Sequence, residues 1–277
     1  MNKAANTFTL KAVSFDLDDT LLHTDLSISP FSVSVFQRLS RQGISIIPAS
    51  GRAQLSMKPY VEQLGCAALY ISCNGAEIWK GDTHQLLYQV LLPEELTLEI
   101  AEFAEAHDCY AQVYEGDGFY YNRHGEFADR YARSARLTGH YVGDLRRFIR
   151  EPRNKILMIA EESRIAAMLQ EARARFGGRA SVTCSKPCYL EFNPLNATKG
   201  NAVRWAASYL KISTSGLIAF GDSLNDLSML QEAGCAVTVA NGWKEIVPYC
   251  DAVCASNDED GPARYLDEHF PDQEVRI

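Results

Sequence analysis

The chain has 277 residues, 47% of them hydrophobic and 22% charged, enough material for one large domain or two smaller ones around an ordinary core. A formal net charge of −8 argues against nucleic acid or an anionic membrane as the main partner and leaves a small molecule as the expected one. No apolar run reaches bilayer length and residues 1–7 hold no hydrophobic signal core, so the expected location is the cytoplasm, with the eight cysteines as reduced thiols.

Residues 10–15 have the length and composition of a strand, with Val13 and Phe15 among small side chains. It runs into Asp16-Leu17-Asp18-Asp19-Thr20. Carboxylates at i and i+2 of an extended chain share a side, and in an open α/β sheet ligands bind at the carboxyl ends of strands. Two crowded acids repel, so a cation, a proton or a reaction must hold them there. Metal-assisted attack by a carboxylate on phosphorus suits the pair best; a turn with an Asp or Thr cap is the plainer alternative. Ser29-Pro30 opens a helix carrying Val33, Phe36 and Leu39, which Gly43 stops. Residues 44–48 read as a buried strand leading into Ala49-Ser50-Gly51-Arg52. There a hydroxyl and free amides beside a glycine can hold phosphoryl oxygens, and Arg52 is a candidate substrate contact. A further strand, residues 67–72, ends at Cys73-Asn74-Gly75.

Residues 82–190 change rhythm. Leu96, Ile100, Phe103 and Ala104 mark a helix, followed by strand-like residues 110–114 and 119–122 around a Glu115-Gly116-Asp117-Gly118 turn. Tyr114, Tyr120, Tyr121, Arg123 and His124 cluster near this hairpin, as substrate contacts or as ordinary packing. The order recurs: Ile165, Met168, Leu169, Ala172 and Phe176 mark a helix stopped by Gly177-Gly178, ahead of strands near 180–184 and 188–192. Two helix-hairpin units predict an inserted α+β lid. Cys184-x-x-x-Cys188 and Cys250-x-x-x-Cys254 read as structural cysteines rather than zinc ligands.

After the insert, Thr198 caps a helix containing Val203, Ala206, Ala207 and Leu210, and places Lys199 at its N-terminus. A lysine there opposes the helix dipole, a poor structural position but a sensible one for neutralising a phosphate or a carboxylate. A strand over residues 216–220 delivers Gly221-Asp222-Ser223-Leu224-Asn225-Asp226, and two short strands follow near 236–239 and 251–255. Mg²⁺ needs only a few protein oxygens. Asp16, the backbone carbonyl of Asp18, and Asp222 suffice, with Asn225 or Asp226 orienting waters or Lys199 around them. Strands alternating with helices on both sides of the insert predict a doubly wound parallel sheet from residues 1–81 and 191–277.

In order and in sheet position, the aspartate pair, Ser50, Lys199 and the stretch from Asp222 to Asp226 resemble the four motifs of the haloacid dehalogenase-like (HAD) phosphohydrolases. The insert between the second and third resembles the type IIB cap of the Cof-type sugar-phosphatase branch, and Asn74-Gly75-Ala76 also fits that branch. Two details depart from it: Asp19-Thr20 stands where Cof-type members often have Asp-Gly-Thr, and Ser223-Leu224 where they often carry glycine. The resemblance implies a Rossmann-like core and an Mg²⁺-dependent phosphatase acting on small phosphomonoesters. In it Asp16 is the nucleophile and Asp18 the general acid and base, while Lys199, Ser50, Gly51, Arg52 and Asn74 hold the substrate and Thr20 fixes Asp18. A phosphosugar mutase shares these motifs, and a non-catalytic phosphometabolite-binding protein is a third reading. Nothing in the residues sets the oligomeric state or names the ester.

Overall fold

The computed structural model describes residues 8–116 and 118–271. Residues 1–7, read above for targeting, and Asp117 of the hairpin turn lie outside these.

Strand β1 (Ala12–Phe15) is buried along its whole length. Its alternation sorts size by face: Val13 and Phe15 join one apolar cluster and Ala12 the other. Beyond β1 the chain turns tightly through residues 17–21, where Asp19 takes a left-handed φ of 57°. Helix α1 (Pro30–Arg41) starts as its sequence implies, with Ser29 Oγ accepting from the Ser32 amide at 3.0 Å. After Gly43, whose φ is +83°, comes β2 (Ser45–Pro48). Helix α2 (Gln54–Leu64) follows, with Pro59 inside it. Strands β3 (Leu69–Ser72), β4 (Glu77–Lys80) and β5 (Leu86–Gln89) form an antiparallel sheet beside β2, linked to it by the parallel bridges Ile46–Ala67 and Ala49–Ile71.

The insert contains α3 (Glu94–Ala106), β6 (Tyr110–Glu115), β7 (Gly118–Tyr121), α4 (Glu126–Ala135), β8 (Thr138–Tyr141) and α5 (Leu145–Phe148). It continues with β9 (Ile156–Ile159), α6 (Glu162–Phe176), β10 (Ala180–Thr183) and β11 (Tyr189–Pro194). Its strands make one sheet in the order β10-β11-β9-β6-β7-β8, and a separate apolar cluster packs beneath α3 and α6. Both helix-hairpin units are present, with β9 between them. The changeover between sheets falls after β5 and again after β11, since β5 pairs with β4 and β11 with β9 and β10.

The chain returns through α7 (Lys199–Tyr209), β12 (Leu217–Gly221), α8 (Leu227–Glu232), β13 (Cys235–Val239), β14 (Ala252–Cys254) and α9 (Gly261–His269). The third sheet runs β14-β13-β12-β1-β2 with every pairing parallel, so the fold is α/β and doubly wound. Small side chains Ala12, Ala219 and Ala236 let α7 and α8 approach one face, while α1, α2 and α9 cover the bulkier one. Phe15 pairs with Phe220 on one side and Pro48 on the other. This register brings the chain following all three strands to one edge, the ligand-binding edge of such a sheet. No helix among the described residues is long and apolar enough to cross a membrane.

Candidate active site

Three loops leave that edge carrying Asp16, Ser50 and Asp222, and α7 adds Lys199. Thr198 caps α7 by accepting from the Asn201 amide at 3.1 Å, which sets Lys199 in the first turn. Lys199 is fully buried, and its Nζ donates to Asp16 Oδ1 at 2.7 Å and to Asp226 Oδ1 at 2.6 Å. Burial disfavours its charge, but the two carboxylates outweigh burial and hold the ammonium protonated. The other oxygen of Asp226 accepts from the amides of Asp222 and Ser223 at 3.0 and 3.1 Å. Asp226 therefore shapes the loop that presents Asp222 and positions Lys199. Gly221 leaves it room: a Cβ there would lie 2.5 Å from Asp226 Cβ.

Asp16, Asp222 and Asp226 have carboxylate oxygens within 4.8 Å of one another. Burial, and then the neighbouring acids, push Asp222 well above its ordinary range; burial above all raises Asp16 to about 7 against the pull of Lys199. Among the described residues nothing engages Asp16 Oδ2 or Asp222 Oδ2. Hard oxygen donors with excess negative charge fit a divalent cation of the Mg²⁺ type. Asp226, with both oxygens committed, fits as a support rather than a ligand.

Two roles differ from the sequence reading. Thr20 does not fix Asp18: the turn over residues 17–21 aims its hydroxyl towards β12, where it donates to Asp222 Oδ1 at 2.9 Å. Asp18 is instead held by Arg52, Nε to Oδ2 and Nη2 to Oδ1, both at 2.7 Å. Burial opposes ionisation of Asp18, but Arg52 more than offsets it and keeps the carboxyl below its ordinary range. Arg52 also donates to Ser56 Oγ at 2.8 Å and to the Ser134 carbonyl of α4 at 3.0 Å. It thus bridges the loop after β2 and helix α4 of the insert while still lining the cleft, where the sequence reading expects a substrate contact.

Ser50 is buried beside the cleft, and its Oγ accepts from the Arg52 amide at 3.2 Å. Asn74, held at a left-handed φ of 56°, accepts from Asn225 Nδ2 at 3.1 Å and donates to Glu191 Oε2 at 2.8 Å. Asp16, Asp18, Ser50, Gly51, Arg52, Asp222 and Asn225 line one cleft. From the insert, Tyr131, Lys155, Lys186, Tyr189 and Glu191 face them across it, and Lys186 Nζ stands 3.9 Å from Asp18. The hairpin residues Tyr114, Tyr120, Tyr121, Arg123 and His124 do not line the cleft; Tyr114 hydrogen-bonds Tyr131 inside the insert at 2.6 Å. The eight cysteines are free thiols, Cys188 in the turn ahead of β11 and Cys254 at the end of β14.

Sequence reasoning missed the residues that the insert contributes. Lys155 was detectable as a charge set directly before the apolar run of β9, and Glu191 as an acid in the otherwise apolar centre of β11.

The fold and this edge define an α/β enzyme of the aspartate-bearing, capped kind. The chain belongs to the haloacid dehalogenase-like hydrolases, whose family model matches residues 13–266. It is similar to 5-amino-6-(5-phospho-D-ribitylamino)uracil phosphatase YitU of Bacillus subtilis, with 29% identity over 267 residues, 93% of this chain and 97% of that one. Among solved structures, a haloacid dehalogenase-like hydrolase from Bacteroides thetaiotaomicron superposes with a TM-score of 0.85 at 26% identity, covering 95% of this chain and all of the other. A HAD subclass IIB sugar phosphatase shares the fold at a TM-score of 0.82 and 20% identity, over 94% of this chain and 98% of its own.

Proposed function

We propose that the chain is an Mg²⁺-dependent phosphatase of small phosphomonoesters, sugar phosphates among them, with the insert from α3 to β11 as its cap, later at both ends than the 82–190 the sequence suggests, and an aspartyl-phosphate intermediate. The observation that carries this reading is the Lys199 ammonium fixed between Asp16 and Asp226, with Asp222 beside them, where β1 and β12 end in a cleft.

Asp16, the carbonyl of Asp18, and Asp222 would hold the cation, which supplies charge neutralisation that lets an anionic ester approach an anionic nucleophile. An oxygen of Asp16 attacks phosphorus, the bond to the ester oxygen breaks, and the departing alkoxide takes a proton from Asp18. Asp18 then accepts a proton from the water that attacks the phosphoryl-aspartate, which regenerates Asp16 and releases inorganic phosphate. Lys199, Ser50 and the amides after Ser50 surround the phosphoryl oxygens, the electrostatic contribution that dominates such transfers. Arg52 occupies both oxygens of Asp18 and keeps it ionised, so acid catalysis requires that fork to open and Asp18 to take up a proton from solvent before the ester bond breaks. The phosphoryl group is the competing acceptor that would open the fork.

The test is release of inorganic phosphate from a panel of hexose phosphates, pentitol phosphates and pyrimidine-bearing ribityl phosphates, with Mg²⁺ and with EDTA. Metal-dependent release from at least one ester supports the reading. No release from any of them by folded, Mg²⁺-supplied protein contradicts it.

A further inference from the structure

The insert and the aspartate-bearing sheet meet at a buried ion pair. Lys155, immediately before β9, is 1% exposed, and Glu191, on β11, is 2% exposed. Lys155 Nζ donates to Glu191 Oε1 at 2.7 Å and crosses to the other sheet to donate to the Gly51 carbonyl at 2.8 Å. It also lies 5.3 Å from the ring centre of Tyr114, a cation–π contact. The second Glu191 oxygen crosses as well, accepting from Asn74 Nδ2. Asn74 passes the connection to Asn225, whose Oδ1 accepts from Ser223 Oγ at 2.7 Å.

We infer that Lys155 and Glu191 are positioning residues that set the phosphate-holding loop and the Asp222 loop only when the cap is seated, an inference that rests on the phosphatase reading above. Both oxygens of Glu191 are committed, and Lys155 already faces two acceptors and an aromatic ring, so neither is free to take substrate. Their contacts lead instead to the backbone of Gly51 and to the side chain of Asn74. A trans peptide holds its C=O and N–H in opposite directions. Drawing the Gly51 carbonyl towards Lys155 therefore turns the Arg52 amide the other way, to the Ser50 hydroxyl at 3.2 Å. Asn74 is restrained in the same manner, and its amide donates to the Ser50 carbonyl at 3.0 Å. Simple cohesion between two sheets does not require charges, because an apolar pair of similar volume serves a buried contact as well or better. The charges are explained by what they orient. Lifting the cap would break the bonds to Gly51 and Asn74 together, leaving the phosphate loop unset until closure.

The test compares wild type with the double variant Lys155→Met, Glu191→Leu, which removes both charges so that neither is stranded. Three readouts are taken: thermal unfolding, kcat and KM for the best ester, and amide hydrogen exchange of residues 50–53 and 73–75 with Mg²⁺ and inorganic phosphate. The expected result is a folded variant whose kcat falls by about tenfold to a hundredfold while KM changes little, with faster exchange in both segments. A folded variant with wild-type kcat and unchanged exchange would overturn the inference. If wild type releases phosphate from no ester, the phosphatase reading fails on its own, and the exchange comparison still decides whether the pair sets these loops.

Discussion

Arg52 grips Asp18 with a two-pronged pair of hydrogen bonds, each 2.7 Å long, and the same guanidinium reaches the Ser134 carbonyl of the cap. One side chain thus ties the acid of the proposed reaction to the seating of the lid.

This pair has a pH signature. The carboxyl of Asp18 is held below its ordinary range, so the stability it contributes is present above the unfolded value of about 4 and is lost as pH falls through the lower folded value. Arg52→Gln should lower Tm at pH 7, and the gap from wild type should close as the pH is taken below about 4. Melting curves across that range check it.

Lys199→Met should reduce turnover by at least about 10²- to 10³-fold, because it removes the cation that holds Asp16 and that, in the proposed mechanism, neutralises the phosphoryl oxygens. It also leaves Asp16 and Asp226 buried without their shared partner, a loss of about 3–5 kcal/mol of stability. Denaturant titration and phosphate release measure the two effects separately.

Gly221→Ala tests the Asp226 support without touching a charge. Its Cβ would fall 2.5 Å from Asp226 Cβ, so the loop must shift, at a cost of about 1–3 kcal/mol with loss of activity. Gly51→Ala is the milder comparison, since its Cβ would meet the Asn74 side-chain amide at 3.0 to 3.4 Å rather than a Cβ at 2.5 Å. Melting temperatures of the two variants should fall in that order.

Mg²⁺ should raise the melting temperature of wild type in proportion to the logarithm of its concentration once that exceeds Kd. Asp222→Asn should abolish most of the shift, whereas Asn225→Ala should retain it. Thermal scans with Mg²⁺ and with EDTA make the comparison.

The active edge was legible because each strand announces itself before its polar end. An apolar run precedes Asp16, Ser50 and Asp222, and Thr198 marks the start of the helix that places Lys199. Pairing within the edge was not legible. Thr20 lies in a turn whose direction depends on the left-handed Asp19, so its partner Asp222, 202 positions away, cannot be found by counting. Helix α2 was hidden by Pro59, which reads as a breaker, and β9 by a four-residue length with no alternation. Tyr131, Lys186 and Tyr189 reach the cleft only because the cap sheet is laid over the parallel one, a tertiary fact without a local signal.

The most direct measurement is to quench Asp18→Asn and wild type in acid during turnover of the best ester, and to map phosphoryl groups by peptide mass spectrometry. A phosphoryl group on Asp16, absent from Asp16→Asn, is the expected result. Phosphate release that persists in Asp16→Asn, with no adduct at residue 16 in any variant, would contradict the account.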